Sequence, residues 1–285
     1  MPHIIHFNSK TTCVTNHIEN YILNWRMPFF SIYLHDDHSM NNLFEHDELF
    51  PSLKNATRCL PHQGLKSSAS KNDLFRFLLY YHAGGIYTEF DLWPSPRGRF
   101  PDAVERFEAY LMADAAKNEA GVDGSAMLLL KRDGMPFLGT ILATPKHPFF
   151  YICVDLVVRS LLGLPNVANQ RAFGVTGPPI LHKALQIFSG MGKKPNEGWD
   201  FGTYSLSDRA KKVYPYLATH QGNFTIIIPE HESFYDYVFE AAAHPEMIKQ
   251  KRRYYKLAGL SHWQHEDKGV HEYDGSCSEY LKKKV

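Results

Sequence analysis

The 285-residue sequence lacks an excess of charge of either sign: Lys and Arg total 31, Asp and Glu total 30, and the formal net charge is +1. A balanced chain has no overall field that attracts nucleic acid or an anionic membrane, so a bound anion must be met by local groups. The sequence also lacks a run of about 18 apolar residues, which a membrane-spanning helix requires. Its start, Met1 to His6, lacks the basic and apolar regions of a signal peptide. We therefore expect no nucleic-acid partner and no integral membrane segment.

Cysteine is scarce as well. The four cysteines are Cys13, Cys59, Cys153 and Cys277. They lie far apart and show neither the density of a disulfide scaffold nor the paired spacing of a zinc site. The spacing therefore indicates a reducing compartment, and we expect a cytoplasmic location.

What the sequence has is apolar residues in regular patterns, with 44% hydrophobic residues overall. The predicted strands are 4–7, 29–34, 86–93, 125–130 and 140–143, and helical spacing is found at 18–25, 74–79, 149–162 and 179–188. Strands that alternate with helices predict an α/β protein with helices on both faces of a sheet. Because no repeat or linker divides the chain, we expect a single domain over 1–285, with a looser part from about residue 190.

One predicted helix carries an unusual polar face. Asp73, Arg76 and Tyr80 are spaced at i, i+3 and i+7, so they share one side of the helix, and Ser70 or Asn72 is a candidate N-cap. A triplet of this kind, taken alone, is typical of an ordinary solvated face with an Asp–Arg pair.

The strand that follows this helix carries two carboxylates. It comes directly after the turn Gly84-Gly85, and its alternation places Glu89 and Asp91 on the same face, about 6.5 to 7 Å apart. Carboxylate oxygens suit Mg²⁺ or Mn²⁺, and such an ion makes a nucleoside diphosphate a better leaving group by neutralising its charge. By itself an acid-x-acid triplet is more often a polar strand edge.

Together, Ser70–Arg76 and Gly84–Pro94 closely resemble the DXD region of family 32 glycosyltransferases, over about 25 contiguous residues. The clan resembled includes the yeast initiating mannosyltransferases, the α1,4-galactosyl- and N-acetylglucosaminyltransferases, and the glucosylating toxins. Weaker similarities occur in the family's order at Pro2–His6, Ala143–Phe150, Thr176–Pro178 and Ser261–Trp263. The resemblance implies a GT-A fold, which is a Rossmann-like nucleotide-sugar-binding fold with a mixed central sheet flanked by helices.

The resemblance also implies an activity, the retaining transfer of a hexose from a nucleotide-sugar with the help of Mn²⁺ or Mg²⁺. Asp91 and Glu89 would position the metal, with His262 completing its ligands, and Asp73 would bind sugar hydroxyls. Arg76 and the metal would stabilise the leaving diphosphate. The implied catalytic residues are Asp73, Arg76 and Asp91, and the implied donor-binding residues are Ile5, His6, Phe7, Asp73, Arg76, Tyr80, Gly85, Tyr87, Glu89 and Trp263.

Two departures from the family pattern concern the donor site. The first DXD aspartate is replaced by Glu89, so Asp91 keeps the stronger claim as a metal ligand. The tryptophan that stacks near the base in relatives is replaced by Asn8 or Ser9, and Phe7 is a candidate to take its place.

Several alternatives stay open at the level of the sequence. UDP-hexose is favoured over GDP-mannose because mannosyl branches are the minority in the clan, and the acceptor is a carbohydrate, a lipid or a protein. The departures also allow a non-catalytic sugar-nucleotide or glycan binding module. A carboxylate-pair glycosidase ranks last, because Glu89 and Asp91 lie too close on one strand to flank a sugar ring. The cluster His35–His38 suggests a metal hydrolase, but a polar loop after a strand is the favoured interpretation.

Overall fold

The structure is a computed structural model. It describes residues 1–9, 12–14, 16–60, 69–89, 92–94, 104–105, 108–109, 125–132, 135–169, 171–194, 197–220, 222–228, 238–240 and 273–283. Three predicted site residues, Asp91, His262 and Trp263, lie outside these ranges. Of the helices described, none combines the length and the apolar character needed to cross a membrane.

Strands and helices alternate through most of the chain, as predicted. The strands are β1 Ile4–Asn8, β2 Ser31–His35, β3 Gly85–Thr88, β4 Leu92–Pro94, β5 Ser125–Arg132, β6 Met135–Ala143, β7 Gly202–Ser205, β8 Phe224–Ile228 and β9 Val238–Glu240. The helices are α1 Asn16–Asn24, α2 Asp37–His46, α3 Leu53–Arg58, α4 Ala69–Ala83, α5 Pro148–Leu162, α6 Ala172–Val175, α7 Pro178–Ser189, α8 Asp208–Val213, α9 Pro215–Ala218 and α10 Cys277–Lys283.

A seven-stranded sheet with the order β2-β1-β3-β6-β5-β8-β7 forms the centre of the described structure. β1 pairs in parallel with β2 and β3, and β5 pairs in parallel with β8, whereas β6 and β7 run against their neighbours. Side chains alternate between its faces: Ile5 and Ile86 join a core cluster with Trp25, whereas Tyr87 joins the cluster that includes Leu78 of α4. The prediction of a mixed sheet flanked by helices is confirmed.

The order of the first three strands is of the kind that forms a crevice in open α/β sheets. From β1 the chain crosses to β2 on one side, and it then returns to β3 on the other side of β1. Where the direction of winding reverses in this way, the loops at the carboxyl ends of the strands diverge, and ligands of open α/β sheets bind there. The reversal places the candidate site at the ends of β1 and β3.

The turn between α4 and β3 requires its two glycines. Gly84 and Gly85 have φ values of +64° and +88°. A Cβ on Gly84 would lie 2.6 Å from Pro145 N, and one on Gly85 would lie 2.7 Å from Ile4 O. The predicted helix stop is therefore confirmed, but neither Ser70 nor Asn72 caps α4, because the helix begins before both of them.

The prediction of one continuous strand over 86–93 was wrong. β3 ends at Thr88, and Leu92–Pro94 pairs instead with β9 in a separate two-stranded sheet. Leu92 N donates to Glu89 O at 3.1 Å, a bond that links the residue after β3 to the first residue of β4. The alternation therefore cannot be extended from Glu89 to Asp91, and their placement on one face stays a prediction.

The polar cluster 35–38 is not a loop. His35 ends β2, and Asp36 is the N-cap of α2, where its carboxylate accepts from Ser39 N at 2.9 Å. Within the described ranges, no group of three His, Cys, Asp or Glu side chains is placed to hold a metal. The structure gives the hydrolase alternative no support.

A disulfide joins Cys59, just after α3, to Cys277 at the start of α10, across 218 residues of sequence. The pairing was not expected from the spacing of the cysteines. Structural disulfides are typical of oxidising compartments, so the pair does not support the expected cytoplasmic location, which stays a prediction. Sequence spacing missed the pair because the two residues meet only through tertiary packing. Cys59, Cys277, Val167 and Tyr280 form a small buried cluster around the bond.

Removing the disulfide should destabilise the protein. We expect the double substitution Cys59→Ser/Cys277→Ser to lower the free energy of unfolding by about 2–5 kcal/mol, because the unfolded chain gains conformational freedom over a long loop. Denaturant titration under non-reducing conditions measures this, with the exposed Cys13→Ser as control. Complete alkylation of Cys59 and Cys277 in the untreated native protein would contradict the pairing.

Candidate functional site

Polar side chains from several elements meet at the carboxyl ends of β1 and β3. Asn8 ends β1, Glu89 directly follows β3, and Asp73 and Arg76 lie on the face of α4 that packs beneath them. Tyr87 of β3 lies between the strands and the helix and contacts both Arg76 and Asn8. The shared helix face and the strand face that were predicted separately therefore form one network.

Arg76 is the centre of this network. Its guanidinium is 3% exposed, donates from Nη1 to Leu138 O at 2.5 Å, and donates from Nη2 to Glu89 Oε1 at 2.5 Å. Its Cζ lies 4.3 Å from the centre of the Tyr87 ring. A solvated helix face is excluded for Arg76. The guanidinium faces Glu89, and this carboxylate keeps 38% exposure at the edge of the crevice.

Asp73 forms a second part of the site with Thr176. Thr176 is fully buried, and its hydroxyl lies 2.8 Å from Asp73 Oδ2 and 3.1 Å from Ala172 O. Burial raises the pKa of Asp73 to about 7, against the opposing effects of the Arg76 charge and the Thr176 hydrogen bond. The Thr176 hydroxyl is the donor in both contacts, so its single proton is shared between Asp73 Oδ2 and Ala172 O.

Two histidines line the crevice floor without adding charge. His6 Nε2 lies 3.1 Å from Gly84 O, so it is the protonated nitrogen, and His6 Nδ1 accepts from His35 Nε2 at 3.0 Å. Burial, together with a smaller effect of the nearby His35, lowers the pKa of His6 to about 4. At neutral pH His6 is therefore a neutral side chain that ties β1 to the glycine turn.

Several residues that the resemblance implies as donor-binding support the site without lining it. Ile5 and Phe7 are 0% and 1% exposed on the opposite face of the sheet, where Phe7 packs against Trp25 rather than in the crevice. Tyr80 is fully buried; it donates to Ile141 O at 2.7 Å and accepts from Tyr87 N at 3.0 Å. Of these side chains, none reaches the crevice.

Sequence reasoning gave no role to two residues that the structure places in the network. Thr176 was part of a weak family similarity, and Asn8 was noted only as a departure from the family pattern. Asn8 Oδ1 accepts from the Tyr87 hydroxyl. Its position at the end of β1 is the signal that points to it, because the ends of parallel strands converge on the crevice.

Comparison with known proteins adds a likeness to solved structures. No family model matches the chain, and no curated protein matches it. Among solved structures the chain is similar to the PaToxG glycosyltransferase, with 14% identity and a TM-score of 0.41 over 65% of this chain and 67% of that one. A likeness of this size does not assign a family, so membership of family 32 stays a prediction.

Asp73 should make stability depend on pH. Because the native state keeps its proton up to about pH 7 while the ordinary pKa is 3.8, the native state binds more protons in this window and stability falls as the pH rises through it. Between pH 5 and pH 8 the wild type should lose unfolding free energy, and we expect Asp73→Asn to reduce this loss by on the order of 2 kcal/mol. The figure takes about 1.4 kcal/mol per pKa unit and is reduced for the partial exposure of the residue.

Denaturant titrations at the two pH values measure the difference. The exposed Asp208→Asn is the matched control, since its side chain is 93% exposed and should leave the pH dependence nearly unchanged. An equal fall in stability for wild type and Asp73→Asn would show that Asp73 is ionised throughout.

Proposed function

We propose that this protein is a metal-dependent glycosyltransferase of the GT-A type that transfers a hexose, with retention of configuration, from a nucleotide-sugar to a carbohydrate, lipid or protein acceptor. UDP-hexose is the favoured donor. The observation that carries the proposal is the exposed Glu89 carboxylate, held by a buried arginine at the switch point of the sheet and flanked by Asp73.

The energetics of Arg76 support a role in positioning. Burying a guanidinium carries a desolvation cost, and hydrophobic residues of similar volume often stabilise a core as well or better. In return Arg76 holds the first residue after β3 in one orientation through a 2.5 Å contact. Since the guanidinium already contacts Glu89, Tyr87 and Leu138 O, it acts through Glu89 and not as a direct clamp on the diphosphate.

A divalent metal is part of the proposal. Glu89 offers a hard carboxylate oxygen at the crevice edge, and Asp91, two residues later, is proposed as the second ligand, with His262 completing the set. When bound, Mn²⁺ or Mg²⁺ would neutralise charge on the leaving diphosphate. The charge of Arg76 is already compensated by Glu89, so the described site has little positive charge of its own to offer a diphosphate.

Asp73 is proposed to orient the sugar. Its carboxyl group accepts from Thr176, and it lies one helical turn from Arg76 on the face that meets the crevice. A carboxyl group whose pKa is about 7 can accept from one hydroxyl and donate to another, which suits a ligand rich in hydroxyl groups. On this proposal catalysis is mainly orientation and electrostatic stabilisation.

Turnover of the donor by water separates an enzyme from a binding module. UDP-glucose, UDP-galactose, UDP-N-acetylglucosamine and GDP-mannose are incubated with the protein and Mn²⁺, and the release of nucleoside diphosphate is measured. Hydrolysis of at least one donor, lost in Asp91→Asn, supports the transferase. Tight donor binding with no turnover of any of the four would favour the binding module instead.

Donor binding should depend on a divalent ion. We expect chelation to weaken donor affinity at least about tenfold, because diphosphate and carboxylates repel each other across a short gap. Titration calorimetry with Mn²⁺, with chelator, and with Mn²⁺ restored measures the effect. Equal affinity in all three conditions would remove the metal from the proposal.

Arg76 and Glu89 should be energetically coupled in turnover. Arg76→Lys keeps the charge but loses the planar fork that reaches Glu89 and Leu138 O together, and Glu89→Gln loses the charge that Arg76 orients. We expect each single variant to lower kcat/KM at least tenfold and the double variant to lose less than the product of the two, with a coupling of about 1 kcal/mol or more.

The control for this cycle is Arg159→Lys. Arg159 pairs with Asp155 at 2.9 Å, but its side chain is 66% exposed, so the substitution should leave kcat/KM unchanged. Melting temperatures are measured for all variants to identify folding defects. Strictly multiplicative losses at Arg76 and Glu89 would show that the arginine does not act through the carboxylate.

A further inference from the structure

Asn8 has an amide group that is only half satisfied. Its Oδ1 accepts from the Tyr87 hydroxyl, whereas its Nδ2 is buried and has no hydrogen-bond partner among the described residues. Buried polar atoms are almost always paired, so an orphan donor at a crevice calls for an explanation. Arg76 Nε, in the same network, is likewise buried and unpartnered within the described structure.

The network fixes which end of the amide is the orphan. Arginine has donors only, so Arg76 Nη2, at 3.4 Å, donates to the Tyr87 hydroxyl oxygen. The Tyr87 hydroxyl still has its own proton to donate, and Asn8 Oδ1 accepts it. The Nδ2 end therefore points away from Tyr87 as a donor, and the atom that completes it is an acceptor.

The two sides of Glu89 differ in chemistry. Thr176, which meets Asp73, lies two residues before α7, and α7 packs on β6, the neighbour of β3 on the side away from β1. Asn8 lies on the other side, at the end of β1. If the hydroxyl-rich sugar of the proposed donor lies by Asp73, the rest of the donor extends toward β1.

We propose that Asn8 recognises the nucleotide: Nδ2 donates to an acceptor oxygen of the nucleoside diphosphate part of the donor. The inference rests on the proposed function and names the group that receives the nucleotide at a position where the family resembled has a stacking tryptophan. Recognition here is by a hydrogen bond instead of an aromatic face, and the Arg76–Tyr87 chain orients the amide before the ligand arrives.

Two substitutions of Asn8 test whether its amide nitrogen donates a hydrogen bond to the nucleotide. Asn8→Ala removes the amide and should raise the Kd for UDP or GDP about tenfold, the effect of one lost hydrogen bond to a polar ligand. Asn8→Asp keeps the oxygen that serves Tyr87 but replaces the donor with an acceptor, so it should raise Kd further through repulsion of the diphosphate. Calorimetric titration of UDP and of GDP with Mn²⁺ measures both.

The control variant is Asn42→Ala, an exposed asparagine of α2, which should bind like wild type. Melting temperatures confirm that the variants are folded. Wild-type affinity in folded Asn8→Ala and Asn8→Asp would overturn the proposal, even if turnover fell. Loss of nucleotide affinity in these variants, in a protein that hydrolyses no donor, would support Asn8 and overturn the proposed transferase; failure of the wild type to bind either nucleotide would overturn both.

Discussion

The site depends on one buried ion pair, Arg76 with Glu89. Its guanidinium is almost inaccessible to water, and it remains charged because a carboxylate, a backbone carbonyl and an aromatic face surround it. These partners come from the end of β3, from β6 and from Tyr87, so the pair fixes two strands relative to α4. Removing Glu89 would leave the guanidinium buried without its compensating charge, which is a strongly destabilising change.

The Gly84-Gly85 turn explains how this pair reaches the crevice. Positive φ at both residues lets the chain reverse within two residues, so that β3 passes close to β1 and Tyr87 lies above Arg76. His6 fastens the turn through Gly84 O, and it does so in the neutral form that burial imposes. Because His6 is neutral, it adds nothing to the net charge of the crevice, which is set by Asp73, by the Arg76–Glu89 pair and by the ligand.

Much of this arrangement could be predicted from the sequence. The strand at the N-terminus, the long helix ending at Gly84 and the helix after Pro148 have strong periodicity and distinct ends, and all three are found. The shared face of Asp73 and Arg76 follows from helical geometry alone. The pairing of strands was not predicted, because alternation predicts a strand but not the sheet that the strand joins. The assignment of Thr88 and Leu92 to separate strands was therefore missed.

The same limit applies to contacts between residues distant in sequence. Cys59 and Cys277 are 218 residues apart, and Thr176 meets Asp73 across more than a hundred. No local pattern encodes such meetings, because they are set by how whole elements pack. The burial of Arg76 is of this kind too, since a charged residue at helical spacing is normally exposed.

Unsatisfied groups are concentrated at the crevice. Of the buried side-chain atoms without a partner in the described structure, Asn8 Nδ2 and Arg76 Nε belong to its network, and Thr225 Oγ1 lies elsewhere. Functional sites are where proteins break the rule that buried polar groups are paired, because the ligand supplies the missing partner. The orphan donor of Asn8 lies at the end of β1, whereas the carboxyl group of Asp73 lies on α4 beside Thr176. A ligand complementary to this arrangement carries oxygen acceptors at one end and hydroxyl groups at the other, which are the chemical features of a nucleotide-sugar.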